Sequence, residues 1–363
     1  GANFLTNSTL NYTFTTQANL SVPGSYTFDA TVSLAGDINP TNNAFTGYLV
    51  TNTANSVGGT VTGPASVCIS GNSGNLTLAG HTGSVLGWEY STDGGFTWIN
   101  ITNTTTTQPY NNLTVPTQYR AVVQNGGCAA ATSSVASIAI SPATVAGTVA
   151  GSATRCSGAN SGNLVLSGHT GSIVRWEFST DGGVTWTNIA NTTTTQSYLN
   201  LVTTTIYRAR VQSGSCGALY STNGTITISP PTVGGSIAPA VTAVCSGSNA
   251  GTLTLSGHTG SIIRWEFSTD GGVTWTNIAN VTTTQNYLNL VVSRLYRARI
   301  QSGACGAIYS ATAAVNVGAA SIGGSVTASA TVCSGANGAT LTLAGHTGSV
   351  LNWESSIDGG VTW

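Results

Sequence analysis

The chain contains no lysine and no methionine, and its 363 residues hold only nine arginines, ten carboxylates and nine prolines. Each shortage excludes something. Without lysine, the Lys–Asn isopeptide crosslinks that stiffen some bacterial surface domains cannot form, so any covalent staple must be built from the seven cysteines. A net charge of −1 provides no overall field to steer nucleic acid or an anionic membrane, and no nucleic-acid partner is expected. No run approaches the roughly 18 apolar residues that a span requires, so this segment is expected to insert in no membrane. Gly1 follows no basic n-region or apolar h-region, which suggests a chain that begins after any signal sequence. No segment of useful length spaces its apolar residues at the helical period. What remains is 40% hydrophobic, rich in Thr, Ser, Asn and β-branched residues, with 46 glycines. The reading is all-β, with enough apolar material for two to four domains.

The sequence repeats. GHTGS occurs at His81, His169, His258 and His346, in steps of 88, 89 and 88 residues. The same step carries Cys68, Cys156, Cys245 and Cys333, and all eight tryptophans: Trp88, Trp176, Trp265 and Trp353, then Trp98, Trp186, Trp275 and Trp363. A second cysteine closes each of the first three units, at Cys128, Cys216 and Cys305. The expected domains are residues 57–142, 145–230 and 233–318 as three complete repeats, and 321–363 as the first half of a fourth. The joins, such as Ser141-Pro142 and Pro230-Pro231, are too short to act as floppy linkers.

Within the first unit, strands are expected near residues 75–79, 85–91, 97–101, 108–113, 117–124 and 133–140, plus one before Cys68. Seven short strands separated by turns suggest a sandwich, and the fold class expected is tandem immunoglobulin-like β-sandwich repeats in an extended array. Alternation places Leu76, Leu78, Leu86, Trp88, Tyr90, Tyr119, Ala121 and Val123 inward, with Glu89 and Arg120 outward. Residues 1–54 do not fit the repeat. There, Pro23 to Asn43 alternates as two strands joined by a turn at Gly36, Asp37, Asn39 and Pro40, and the segment reads as the C-terminal part of a different sandwich. Its last thirty or so residues resemble the adhesion-related β-sandwich domains of bacterial surface proteins.

Two cysteines per unit, without CxxC spacing or a companion set of histidines, read as disulfides formed in an oxidising compartment. The candidates are Cys68, Cys128, Cys156, Cys216, Cys245 and Cys305. Zinc needs four close nitrogen or sulfur ligands, and each unit has two thiols and one histidine. The simple pairing is within the unit, Cys68 with Cys128. On the immunoglobulin strand map, however, a cysteine before strand B and one after strand F lie at opposite ends, and the alternative joins Cys68 to Cys216 of the next unit.

STDGGFTW, from Ser91 to Trp98, matches the Asp-box pattern familiar from sialidase propellers, with its aspartate recurring at Asp181, Asp270 and Asp358. The physical reading is a hairpin device: the Asp93 carboxylate accepts turn amides, two glycines supply positive φ, and Trp98 covers the turn. A sialidase also needs an arginine cluster and separate acid and nucleophile, whereas Glu89 and Asp93 are the only carboxylates of this unit.

Arg120, Arg175, Arg208, Arg210, Arg264, Arg297 and Arg299 fall on the outward face beside Glu89, Glu177 and Glu266. They are read as cross-strand ion pairs, with a contact stripe for a partner chain or a glycan as the functional alternative. His81 and its equivalents read as turn residues. Asp37, Asn39, Asn42 and Asn43 form a poor calcium set, so no metal and no cofactor are expected. Thr104–Thr107, Thr192–Thr195 and Thr282–Thr284 are exposed polar turns where sugar could attach, and sequons such as Asn7-Ser8-Thr9 arise often by chance in such a composition.

The ordered set Cys-Ser-Gly, GHTGS, W-E-x-S-T-D-G-G-x-T-W, TTTTQ-x-Y-x-N-L and Y-R-A-x-V/I-Q-S-G-x-C resembles the immunoglobulin-like repeats of giant Bacteroidota surface proteins over residues 57–363. Those relatives include gliding-motility adhesins. The resemblance implies an extracellular, cell-surface location, export across the outer membrane by the type IX route, and roles in attachment. No binding residue carries over, because the shared residues are scaffold. The leading function is a structural and adhesive stalk segment, with other copies of itself or surface glycans as partners. Near-identity of the units argues against an enzyme. A carbohydrate-binding repeat array is the second reading, and a glycosidase, resting only on the Asp box, the third.

Overall fold

The computed structural model describes residues 13, 16–33, 35–327 and 329–363. In the described part of residues 1–54, strand β1 (Gly24–Thr31) pairs antiparallel with β2 (Ala44–Asn52). The second strand therefore starts after Asn43 instead of lying within the Pro23–Asn43 stretch. The reason is local: Pro40–Asn42 takes a 3-10 turn, with the Asn39 amide donating to Asp37 Oδ1 at 2.9 Å. The Asp37–Asn43 cluster is thus a turn whose side chains hold its own backbone.

The first repeat contains β3 (Thr60–Thr62), β4 (Ser66–Cys68), β5 (Ser73–Ala79), β6 (Ser84–Ser91), β7 (Ile99–Ile101), β8 (Thr107–Asn111), β9 (Thr117–Gln124), β10 (Ala131–Thr132) and β11 (Ala136–Ser141). One sheet has the order β3-β5-β8, the other β4-β11-β9-β6-β7, with β10 extending β9. This is the immunoglobulin sandwich, its first strand divided between the two sheets. In the first repeat the division falls at Gly63-Pro64, where a Cβ on Gly63 would stand 2.3 Å from Leu76 Cδ2 and proline cannot continue the ladder. After the switch, β4 runs parallel to β11, with Cys68 opposite Ser141. The same sheet orders recur in the second and third repeats, so the chain is all-β and immunoglobulin-like throughout these repeats.

Alternation builds the core. Along β9, Tyr119, Ala121 and Val123 are buried while Gln118, Arg120, Val122 and Gln124 are partly exposed. Trp88 is fully buried among Leu76, Leu78, Tyr119, Ala121 and Ile138, and its indole donates to the Thr105 carbonyl at 2.9 Å. That bond gives the Thr-rich turn a structural duty, repeated by Trp176 on Thr193 and Trp265 on Thr282. Removing such an indole costs about 3–5 kcal/mol. Leu86 departs from the expected alternation: it is exposed and Val85 is buried in its place. A β-bulge between Val85 and Gly87 inserts one extra residue and reverses the faces upstream of it.

The molecule has two compact units, and their boundary does not follow the repeats. One comprises residues 1–147, 168–174 and 210–220, the other 148–167, 175–209 and 221–363. The segment of the second repeat that carries Cys216 is therefore in one compact unit with the first repeat.

Candidate functional site

The cysteines decide how repeats are joined. Cys68 is bonded to Cys216 and Cys156 to Cys305, with Cα–Cα separations of 4.7 Å in both. Within-unit pairing of Cys68 with Cys128 is thereby corrected to pairing with the next repeat. Topology supplies the reason. Because β4 runs parallel to β11, Cys68 sits where the last strand of its repeat leaves for the next one, whereas the second cysteine follows β9, at the end where each repeat begins. The two thiols of one repeat lie a strand length apart, and the exit of one repeat meets the entrance of the following one. Cys216 lies 3.6 Å from the Ser141 carbonyl and 3.2 Å from that of Pro142. Around it, the Ser215 amide donates to Ser141 Oγ at 3.2 Å and the Ser213 amide to Thr144 Oγ1 at 3.0 Å. The third repeat repeats the pattern: Cys305 lies 3.2 Å from the Pro230 carbonyl, and the Ser302 amide donates to Thr232 Oγ1 at 3.0 Å.

Cys128 and Cys245, expected in disulfides, carry thiols, as does Cys333. Cys128 occupies the receiving position, 3.2 Å from Thr53 Oγ1, and no cysteine occurs among residues 1–54. Cys245, at the position of Cys68 and Cys156, is exposed.

An asparagine fixes the loop after the first cysteine of each complete repeat, and composition concealed it because asparagine is abundant everywhere. Asn72 donates from Nδ2 to the carbonyls of Cys68 and Leu113, at 2.7 and 2.8 Å, and accepts from the Leu113 amide at 2.8 Å. Asn160 and Asn249 do the same. The visible signal was its fixed place four residues after the cysteine in every repeat.

The Asp boxes are closed turns. Asp93 accepts from Ser91 Oγ at 2.7 Å, from the Thr97 amide at 3.0 Å and from the Thr97 hydroxyl, while Gly94 and Gly95 take φ of +80° and +94°. Asp270 makes the same bonds with Thr274 and Ser268, and these hold its carboxyl down at about 2. The hydrogen bonds of Asp93, Asp181 and Asp358 push theirs well below the ordinary carboxylate range. A carboxylate saturated in this way has no proton to give near neutrality. His81, His169 and His258 lie in the loop between the β5 and β6 positions, one to a repeat, and among the described residues no group of three or more His, Cys, Asp or Glu could hold a metal ion.

The arginines gather on the face of the larger sheet that points away from the core. In the first repeat Arg120, opposite Glu89 on the neighbouring strand, reaches it from Nε at 2.6 Å and lies 4.0 Å over the Trp98 ring. In the third, Glu266 receives two arginines: Arg264 on Oε1 at 2.6 Å and Arg297 on Oε2 at 2.7 Å. Arg297 also lies between two rings, 3.8 Å over Trp275 and 3.7 Å over Tyr309. Outward-pointing Glu266 is consequently only 2% exposed, against 18% for the Glu89 side chain. Burial raises its pKa, but the hydrogen bonds and charges of Arg297 and Arg264 outweigh that and leave it below the usual value. Glu177 is covered likewise by Arg175 and Arg208, with Arg208 3.7 Å over Trp186. Arg299 makes no ion pair among the described residues and lies 5.9 Å from the Tyr309 ring.

The family model described as "Domain of unknown function (DUF8696)" matches residues 57–142, 145–230, 233–319 and 322–363. The chain belongs to this family. No curated protein matches it. Solved structures similar to it include the chicken CNTN1 FN1–FN3 domains, at 13% identity over 67% of this chain and 93% of that one, with a TM-score of 0.25. The N-terminal eight Ig domains of DSCAM isoform 1.30.30 match at 12% identity over 78% and 46%, with a TM-score of 0.30. The N-terminal four Ig domains of Dscam1 isoform 4.44 match at 12% over 76% and 77%, with a TM-score of 0.29. Superpositions at this level carry nothing about partners or function.

Proposed function

We propose that this chain is a structural and adhesive stalk segment of a large secreted surface protein, without catalysis, built to carry tension between a cell and what it attaches to. The observation that supports this most is the pairing of cysteines across successive repeats. The disulfides Cys68–Cys216 and Cys156–Cys305 enclose overlapping stretches of chain. The shortest covalent path from Cys68 to Cys305 runs through both bonds and the 60 residues between Cys156 and Cys216, instead of the 237 residues along the backbone. A repeat that unfolds under load can therefore release little length. Such a limit serves a tether under load.

The disulfides call for an oxidising location, consistent with the cell surface, the motif resemblance to Bacteroidota gliding-type adhesins points to type IX export, and a stalk of this kind can bundle sideways with other copies of itself into a filament. The test is single-molecule stretching of the chain held at Cys68 and Cys305 flanks, oxidised and reduced. At about 3.4 Å per residue, the contour between these points is about 20 nm oxidised and about 80 nm reduced. Equal lengths in the two states would remove the basis of the proposal. Electron microscopy of the intact protein tests the extended form, and compact globules would contradict it.

A further inference from the structure

The net charge of −1 conceals a strong division between repeats. Residues 57–142 hold Arg120 against Glu89 and Asp93, one negative charge in excess. Residues 145–230 and 233–319 each hold four arginines against one glutamate and one aspartate, two positive charges in excess. The difference lies at aligned positions. Where the first repeat has Gly87, Val122 and Thr132, the second has Arg175, Arg210 and Tyr220, and the third Arg264, Arg299 and Tyr309. In the third repeat these three lie on the outer face beside Glu266: Arg264 on the carboxylate, Arg299 and Tyr309 paired across neighbouring strands, the tyrosine 41% exposed.

The first repeat forms the same two sheets and buries its tryptophan as completely without any of the three. The scaffold therefore does not require them, and their joint presence calls for another explanation. We infer that this face in the second and third repeats binds a linear acidic polysaccharide bearing carboxylates. Arg299 has a guanidinium fork uncommitted to any carboxylate of the described chain, the geometry that takes a carboxylate in a bidentate grip. Tyr309, 41% exposed, supplies an aromatic ring against which the apolar side of a sugar can rest, with Arg297 3.7 Å from its centroid. Glu266, held between Arg264 and Arg297, locks those two guanidinium groups in place. The same residue types recur in the second repeat, as Arg175, Arg210 and Tyr220.

Binding of polygalacturonate to the oxidised chain is compared with dextran, a neutral polymer, and with polyglutamate, an acidic protein-like one. The variant combines Arg210→Val, Arg299→Val, Tyr220→Thr and Tyr309→Thr, each residue being the one that the first repeat already uses, so the fold is retained and circular dichroism verifies it. Polygalacturonate is expected to bind the native chain, to weaken steeply as salt rises, and to lose about tenfold or more in affinity in the variant. Absence of binding, equal affinity in the folded variant, equal binding of dextran, or binding of polyglutamate as tight as that of polygalacturonate would each overturn the assignment.

Discussion

The first and third repeats share a core and differ on one face. Trp88 and Trp265 are both fully buried and both donate to a threonine carbonyl of the following turn, and Leu76, Leu253, Ala121 and Ala298 are all at zero exposure. On the outer side the two part company. Over Glu89 the first repeat has Gly87 and Val122, leaving a cleft of about 290 Å³ lined also by Leu86 and Asn100, whereas the corresponding glutamate of the third lies beneath two arginines. The lesson is that a sandwich tolerates wholesale change on a sheet face once its inner face is packed, because most of the energy of the fold resides in the buried apolar area and an exposed cross-strand pair contributes only tenths of a kcal/mol.

That comparison can be broken or sharpened by mutation. The largest effects should be equal in the two repeats: Trp88→Ala and Trp265→Ala should each cost about 3–5 kcal/mol in denaturant titrations of two-repeat fragments, and a strongly unequal pair would show that the cores are not equivalent. Next comes Cys156→Ser, which should lower stability by about 2–4 kcal/mol and split the melting of the second and third repeats into separate transitions in calorimetry. Glu266→Gln should then cost about 1–3 kcal/mol, because it leaves two arginines facing a neutral amide, while Glu89→Gln, with one more exposed partner, should cost under about 1 kcal/mol. Equality of that pair would mean that the second arginine adds nothing.

The pH dependence follows from the lowered carboxylates. Glu177, Glu266 and the Asp-box aspartates have folded pKa values below their unfolded ones. Their contribution is fully present above the ordinary carboxylate range near 4 and is lost as pH falls through the folded values, to about 2 for Asp270. Thermal midpoints measured from pH 7 downward should be flat to about pH 5 and decline below it. The smallest effect expected is that of Gly87→Arg with Val122→Arg and Thr132→Tyr, which builds the third repeat's face on the first: stability should move by no more than about 0.5 kcal/mol.

Much of this was legible in the residues. The period, the longer strands and the buried tryptophan follow from alternation and from the fixed step of the motifs, since side chains of a strand alternate strictly in the absence of a bulge. The first repeat nevertheless has nine strands against the seven expected, because the strand before Cys68 is divided and a short β10 precedes β11. Leu86 was misplaced because a bulge is a property of paired strands and leaves no mark in one of them. The Asp-box turn was readable, as its geometry is local. The closing of Glu266 beneath two arginines was not: the sequence showed which residues share a face but not that Trp275 and Tyr309 would hold Arg297 between them.

The disulfides mark the limit most clearly. Composition and spacing determined by themselves that the chain is all-β, repeated and crosslinked by cysteine, because these depend on periodicity and on the absence of lysine. Only the tertiary structure decided that Cys68 joins Cys216. Pairing depends on which ends of which strands meet, and that was set by a single event, the crossing of the first strand at Gly63-Pro64 to run parallel to β11, which carries the first cysteine to the exit of its own repeat.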